Sequence, residues 1–212
     1  MLLIGLTFTT LLLFVDCASW NATCPTVSPR LLDLKELDGT WYLSAAASDL
    51  QLQGECATVQ FQHGSSNTTT VSISWIQNRT ASHYNGSAVA IADPNNNATG
   101  QLLMVNYDDQ KTESYYFLDV DYEHYAVVFA CNNSADGNSS TYELWKLSRR
   151  AHLKADDLAK INDAITKYDL QDTEFMNFNN TEECCKKNAG DFVNPGSLVM
   201  TSAVVLSIFR RF

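Results

Sequence analysis

Between Ala57 and Leu147 the chain repeats one pattern in short runs: apolar and polar residues alternate with a period of two. Successive side chains of a strand point to opposite faces, so this alternation marks strands with one buried face. In the run after Cys56, Ala57, Val59 and Phe61 share one face while Thr58, Gln60 and Gln62 share the other; Val71, Ile73 and Trp75 alternate likewise with Ser72 and Ser74. Further runs follow at Ser87 to Ala92, Leu102 to Tyr107, Tyr115 to Val120, Tyr125 to Cys131 and Tyr142 to Leu147. Turn-forming stretches such as 93-DPNNNATG-100 and 132-NNSADGNSS-140 separate them. A strand through Trp41 makes eight.

Eight short antiparallel strands can close into a barrel wide enough for one small ligand, and closure removes the unpaired edges that invite aggregation. The expected class is all-β, an eight-stranded antiparallel up-and-down β-barrel; a sandwich of two sheets is the other solution open to this pattern. From Ala155 to Tyr168 the period changes. Leu158, Ile161, Ile165 and Tyr168 form one helical stripe with Asp156 and Asp157 in the first turn, which predicts one C-terminal α-helix packed on the outside of the sheet. Nine Tyr, ten Phe and 45% hydrophobic residues in a chain of 212 suit a single strand-rich domain. A net charge of -10 excludes nucleic acid as a partner, because a polyanion needs a basic face to release its counterions.

The two ends read differently from the middle. Residues 1–19, MLLIGLTFTTLLLFVDCAS, hold an apolar run from Leu2 to Val15 and then the small residues Cys17, Ala18 and Ser19, the pattern of a cleaved signal peptide. The run falls short of the ~20 apolar residues that span a bilayer. Residues 188–212 contain the apolar stretch 196-GSLVMTSAVVLSIF-209 behind the small residues 188-NAG-190, which reads as a signal for a glycosylphosphatidylinositol (GPI) anchor attached at Asn188 or Gly190. The terminal Arg210 and Arg211 depart from that pattern. The domain proper is expected over residues 20–187.

An extracellular setting is also expected from the sequons that begin at Asn21, Asn67, Asn78, Asn85, Asn97, Asn132, Asn138 and Asn179, largely in turn-like stretches where a glycan has room. Cys24, Cys56, Cys131, Cys184 and Cys185 remain after the leader and should pair as disulfides in an oxidising compartment, the odd count leaving one over. No C-x-x-C pair occurs and His63, His83, His124 and His152 are scattered, so no metal site is expected.

Three segments, in this order on the eight-strand pattern, resemble the lipocalin family: 38-DGTWY-42 with its Gly-X-Trp, the Asp-Tyr segment 118-LDVDYEHYAVV-128, and 145-WKLSRR-150 just before the helix. The resemblance covers about residues 24 to 185. It implies that Trp41 plugs the closed end of the barrel and that Arg149 stacks across it, a cation–π contact on the order of 1 kcal/mol. Arg150 takes that place if the register slips by one. Both roles are structural, as are the implied loop-fixing roles of Asp121 and Tyr122. Within the family the likeness is to the apolipoprotein D, Lazarillo and bilin-binding branch, carried by 54-GECATVQF-61, 116-YFLDVDYEHYAVVFAC-131 and the cysteine layout. It implies Cys24 bonded to Cys131, and Cys56 to either Cys184 or Cys185. The remaining cysteine is then free, linked to another chain or joined to its neighbour.

The resemblance implies an extracellular carrier for a small hydrophobic ligand inside the barrel: a fatty acid, retinoid, sterol-like lipid or bilin. Phe61, Trp75, Tyr107, Phe117 and Trp145 are the expected lining. Phe61 and Trp145 match pocket positions of the branch, whereas the other three rest on alternation, which a one-residue slip would invert. Tyr116 or Tyr142 is expected to orient the ligand. Two other roles compete with the carrier. One is a glycosylated, GPI-anchored surface protein in adhesion or signalling, its receptor unknown. The other is an isomerase like the family member that uses a barrel cysteine thiolate; Cys56 is the candidate here, but a disulfide explains it better, so no catalytic residue and no enzyme activity are expected.

Overall fold

The computed structural model describes residues 19–20, 22–48, 52, 54–64, 68–92, 101–181 and 185. In chain order these form β1 (Ser19–Trp20), β2 (Gly39–Ala47), β3 (Glu55–His63), β4 (Thr69–Gln77), β5 (Thr80–Ala92), β6 (Gln101–Tyr107), β7 (Thr112–Asp121), β8 (Tyr125–Asn133), β9 (Ser140–Ser148), α1 (Ala155–Thr166) and β10 (Met176–Asn177). From β2 to β9 each strand pairs antiparallel with the next, and β9 pairs back onto β2, with Leu43 opposite Leu147 and Ala46 opposite Trp145. The sheet is therefore a closed eight-stranded up-and-down barrel and not a sandwich.

The two short strands finish the seam. β2 pairs with β3 only over Gly39 to Tyr42, and β10 occupies the edge left open beside Ala45 and Ala46. β1 likewise pairs with Ser140 and Thr141 of β9, beyond the reach of β2. The expected strand Ser87 to Ala92 is the second half of β5, which begins at Thr80. The first half, 80-TASHYNG-86, places small or polar residues on both faces, so alternation cannot reveal it.

Alternation separates two apolar layers. The inner one includes Trp41, Val59, Ile73, Phe117, Val128 and Leu147. The outer one joins Val127, Phe129, Tyr142 and Leu144 to Ile161 and Ile165 of α1, and to Tyr168 and Leu170 beyond it. The buried stripe of α1 is Asp157, Ile161 and Ile165, whereas Leu158 is 39% exposed. The helix stops at Thr166, before Tyr168, and Asp169 then turns with a φ of 57°. Cys24 is bonded to Cys131 and Cys56 to Cys185, bridging 107 and 129 positions of sequence. Cys184 lies outside the described residues, as do residues 1–18 of the expected signal peptide and all of the expected tail, 188–212.

Candidate ligand-binding site

The closed end of the barrel is assembled around Gly39. Its φ of +96° suits glycine, and a Cβ there would stand 3.3 Å from Nη1 of Arg149. That leaves room for the Arg149 guanidinium to lie 3.9 Å from the centroid of the fully buried Trp41 ring. Arg149 donates from Nε to the Tyr122 carbonyl (2.8 Å), from Nη1 to the Asp38 carbonyl (2.8 Å) and from Nη2 to the Glu36 carbonyl (2.7 Å). Trp41 Nε1 donates to the Leu37 carbonyl at 2.9 Å. Burial pulls the Arg149 pKa below the usual arginine value, opposed by the Asp38 and Glu36 carboxylates. In the β7–β8 turn, Asp121 Oδ1 accepts from the Glu123 N–H at 3.1 Å and Oδ2 lies 3.0 Å from His124 Nδ1. The Tyr122 hydroxyl accepts from the Asp33 N–H at 2.8 Å, tying that turn to the segment crossing the floor. Arg150 is exposed and takes no part.

Above the floor, Phe61, Tyr107, Phe117 and Trp145 come together with Tyr115 and Val128 around the barrel axis. All six are buried, and Phe117 is wholly so. The space they leave is about 10 Å³, room for roughly one water molecule. Trp75 is also buried on the inner face, but its ring packs 5.3 Å from Tyr84 and does not border this space. Tyr116 and Tyr142, the residues expected to orient a ligand, belong instead to the outer layer under α1; Tyr142 donates to Thr173 Oγ1 at 3.3 Å. Parity explains it: Tyr115 and Phe117 share the inner face of β7, so Tyr116 cannot.

Toward the open end the inner wall becomes polar. Tyr115 donates to Glu143 Oε2 at 3.1 Å, which leaves its oxygen to accept from the Tyr107 hydroxyl at 2.8 Å. Lys111 Nζ reaches Glu143 Oε1 at 3.2 Å and Glu113 Oε1 at 3.3 Å, and Asn132 Nδ2 donates to Glu113 Oε2 at 3.0 Å. Burial, reinforced by the Glu143 carboxylate, pushes both tyrosine pKa values up; for Tyr115 its neighbour Tyr107 adds to the rise. Trp145 stacks at 5.2 Å from Tyr115, and its Nε1, like that of Trp75, has no hydrogen-bond partner among the described residues. Sequence reading passed over Tyr115 and Glu143, although each stands two positions from a chosen aromatic, Phe117 and Trp145, and so shares its face.

Of the sequon asparagines, Asn78, Asn85, Asn132, Asn138 and Asn179 are exposed; Asn21, Asn67 and Asn97 lie outside the described residues, as do Asn188 and Gly190. Among the described residues no cluster of His, Cys, Asp and Glu is placed to hold a metal ion, and no helix is long and apolar enough to cross a membrane.

The model of the lipocalin / cytosolic fatty-acid binding protein family matches residues 38–182. The chain is 25% identical over 173 residues to the Lazarillo protein of Schistocerca americana, covering 81% of this chain and 78% of that protein. Among solved structures it resembles insecticyanin from the tobacco hornworm Manduca sexta, with a TM-score of 0.66 and 20% identity over 80% of this chain and 93% of the other. Lobster apocrustacyanin A1 is similar, with a TM-score of 0.65 and 16% identity over 80% and 95% of the two chains.

Proposed function

The chain belongs to the lipocalin / cytosolic fatty-acid binding protein family, and from that premise we propose that it is an extracellular carrier of a small hydrophobic ligand held inside the barrel. One observation carries this reading: the aromatic side chains of Phe61, Phe117 and Trp145 face one another within a closed wall, sealed at one end by Trp41 and Arg149. Such a wall gives apolar surface a place to leave water, worth ~25 cal/mol per Å². With only about 10 Å³ unfilled, the ligand must displace side chains as it enters, and part of that gain opens the interior. Tryptophan reports on this directly, because Trp75 and Trp145 lie in the inner wall.

Two disulfides and five exposed sequon asparagines support secretion with glycosylation. The Cys56 sulfur is bonded to Cys185 and is not a free thiolate, which favours binding over catalysis. The apolar stretch behind 188-NAG-190 favours a second reading, a GPI-anchored surface form of the same carrier acting in adhesion or signalling. Release from cells by a phosphatidylinositol-specific phospholipase separates anchored from freely secreted protein.

The test of the carrier reading is to purify the native protein, record its absorption spectrum and identify extracted small molecules by mass spectrometry. Tryptophan fluorescence of the stripped protein is then titrated with the extract. A fatty acid, retinoid, sterol-like lipid or bilin that restores the native spectrum is the expected result. An empty extract, together with a flat titration against all four classes, overturns it.

A further inference from the structure

A ligand enters this barrel through its rim. Trp41 and Arg149 seal one end and eight paired strands close the wall, so the approach is from the other end, where β3 and β9 begin and β8 stops. One sequon asparagine stands on the inside of that rim. Ala126, Val128 and Ala130 of β8 belong to the inner layer, whereas Val127 and Phe129 belong to the outer one. Asn132 continues the even-numbered set one position before β8 ends, so parity turns its side chain inward. Its contact agrees: Nδ2 donates at 3.0 Å to Oε2 of Glu113, which shares the inner face of β7 with Tyr115 and Phe117. Asn132 is nonetheless exposed, so its amide faces the opening and not packed core.

The other described sequon asparagines are placed differently. Asn78 and Asn138 occupy the β4–β5 and β8–β9 turns, and Asn179 lies beside Glu55 at the start of β3. Asn85 is on the outer face of β5, where its Oδ1 accepts from Ser72 Oγ at 2.8 Å. A glycan is bulky, so a used sequon belongs on an open surface. The sequon 132-NNS-134 starts inside a strand, and only its position at the rim leaves a sugar room. Glycosylation bonds Nδ2 to the anomeric C1 of a sugar as C1 parts from a lipid-linked diphosphate, which leaves with the bonding electron pair. The amide gives up one of its two protons to a base and keeps the other. The remaining N–H can still donate to Glu113, which ties the first sugar to the inner wall.

Resting on the carrier reading, we infer that Asn132 carries an N-linked glycan that stands in the mouth of the barrel and gates ligand exchange. The sugar narrows the approach while Asn132 itself does not border the interior space. A barrier raised between two unchanged end states slows entry and exit by the same factor and leaves the affinity as it was.

The test uses the full chain secreted from eukaryotic cells that add N-glycans, with the uncharged dye N-phenyl-1-naphthylamine as probe. Mass spectrometry of its glycopeptides should find Asn132 occupied. Ser134→Ala removes the sequon, leaves Asn132 and Glu113 in place, and costs the 2.7 Å hydroxyl contact of Ser134 with Ser139 in the turn. In stopped-flow fluorescence, Ser134→Ala should raise the association and dissociation rates of the dye together, by about three-fold or more, with Kd within about two-fold of wild type. Ser134→Thr, which keeps the sequon, and Asn138→Gln, which removes the glycan of the neighbouring turn, should match wild type. Asn132→Gln keeps an amide and loses the sequon, and takes the place of Ser134→Ala if that variant does not fold. An unoccupied Asn132, rates unchanged on losing the sequon, or a change confined to one of the two rates overturns the gate while leaving the carrier reading intact. Failure of the dye to bind either the glycosylated or the sequon-free form overturns both.

Discussion

Replacing Arg149 by alanine asks how much of the fold depends on the sealed end. The guanidinium makes three bonds of 2.7–2.8 Å to the carbonyls of Glu36, Asp38 and Tyr122. A hydrogen bond to a charged group contributes ~1.5–3 kcal/mol, and the site is partly open to water, so the lower end applies and carbonyls left behind regain some solvation. Counting ~1 kcal/mol for each bond and ~0.5–1 kcal/mol for the stacking on Trp41 gives a loss of ~3–4 kcal/mol. In a domain of this size each kcal/mol moves the melting point by ~2–4 °C, so Arg149→Ala should melt ~6–16 °C lower in a thermal scan followed by circular dichroism. Arg149→Lys keeps the charge but not the planar fork, and should recover less than half of the loss. Ligand affinity, measured well below both transitions, should stay within about two-fold of wild type, because Trp41 and Arg149 do not border the interior space. A melting point within ~2 °C of wild type for Arg149→Ala, or full recovery by lysine, would show that stacking and carbonyl bonding contribute nothing.

Phe117→Ala, at a wholly buried position beside the interior space, should cost ~3–5 kcal/mol in urea unfolding while tightening the binding of a bulky apolar probe; weaker probe binding would contradict binding inside the barrel. Tyr107, Tyr115 and Tyr125 all have pKa values raised first by burial, with Asp119 accepting from the Tyr125 hydroxyl as a second cause. Their folded values lie above the unfolded one, so their contribution to stability is complete below about pH 10 and is lost as pH rises beyond it. In a spectrophotometric titration three tyrosines should stay protonated at about pH 11 until the chain unfolds, and a single transition for all of them near pH 10 would refute this. Peptide mapping without reduction should recover Cys24 joined to Cys131 and Cys56 joined to Cys185, and Cys56→Ser with Cys185→Ser should lower stability by ~2–4 kcal/mol; Cys56 recovered with Cys184 would be the contrary result.

β8, buried on both faces from Tyr125 to Ala130, reads as a continuous apolar run, whereas strands with one buried and one open face were legible because that asymmetry forces period two. Where that condition fails the pattern falls silent, as in the first half of β5, whose inner positions near the mouth are Ser82, Tyr84 and Gly86. The closed end was also legible, because Gly39, Trp41 and Arg149 serve each other through geometry that few residue types satisfy. The interior was legible in part. Phe61, Tyr107, Phe117 and Trp145 meet around the axis, but Trp75 packs against Tyr84, and alternation cannot tell which inner side chains reach the centre. The polar chain through Glu113 and Glu143 stayed hidden because a glutamate in a strand reads as a solvated outer residue; parity with Phe117 and Trp145 puts both on the inner face, and the Lys111 ammonium, 32 positions from Glu143, is the partner that the sequence does not bring beside it. The choice between Cys184 and Cys185 likewise depended on where the returning segment meets β3 beside Asn179 and Asn180.

Both disulfides attach near the same rim. Cys131 lies toward the end of β8 that leads to the 134–139 turn, and Cys56 lies at the start of β3. The two strands flank the seam formed by β2 and β9, so covalent clamps hold that half of the opening to the terminal segments. The other half, from β4 to β7, is linked by the tight turns at Asn78–Arg79 and Asp108–Lys111 and carries no clamp. The arc from β4 to β7 is thus held by backbone pairing and packing alone. If a guest loosens the wall, exchange of amide hydrogens should change more in β4 to β7 than in the stapled strands β3 and β8.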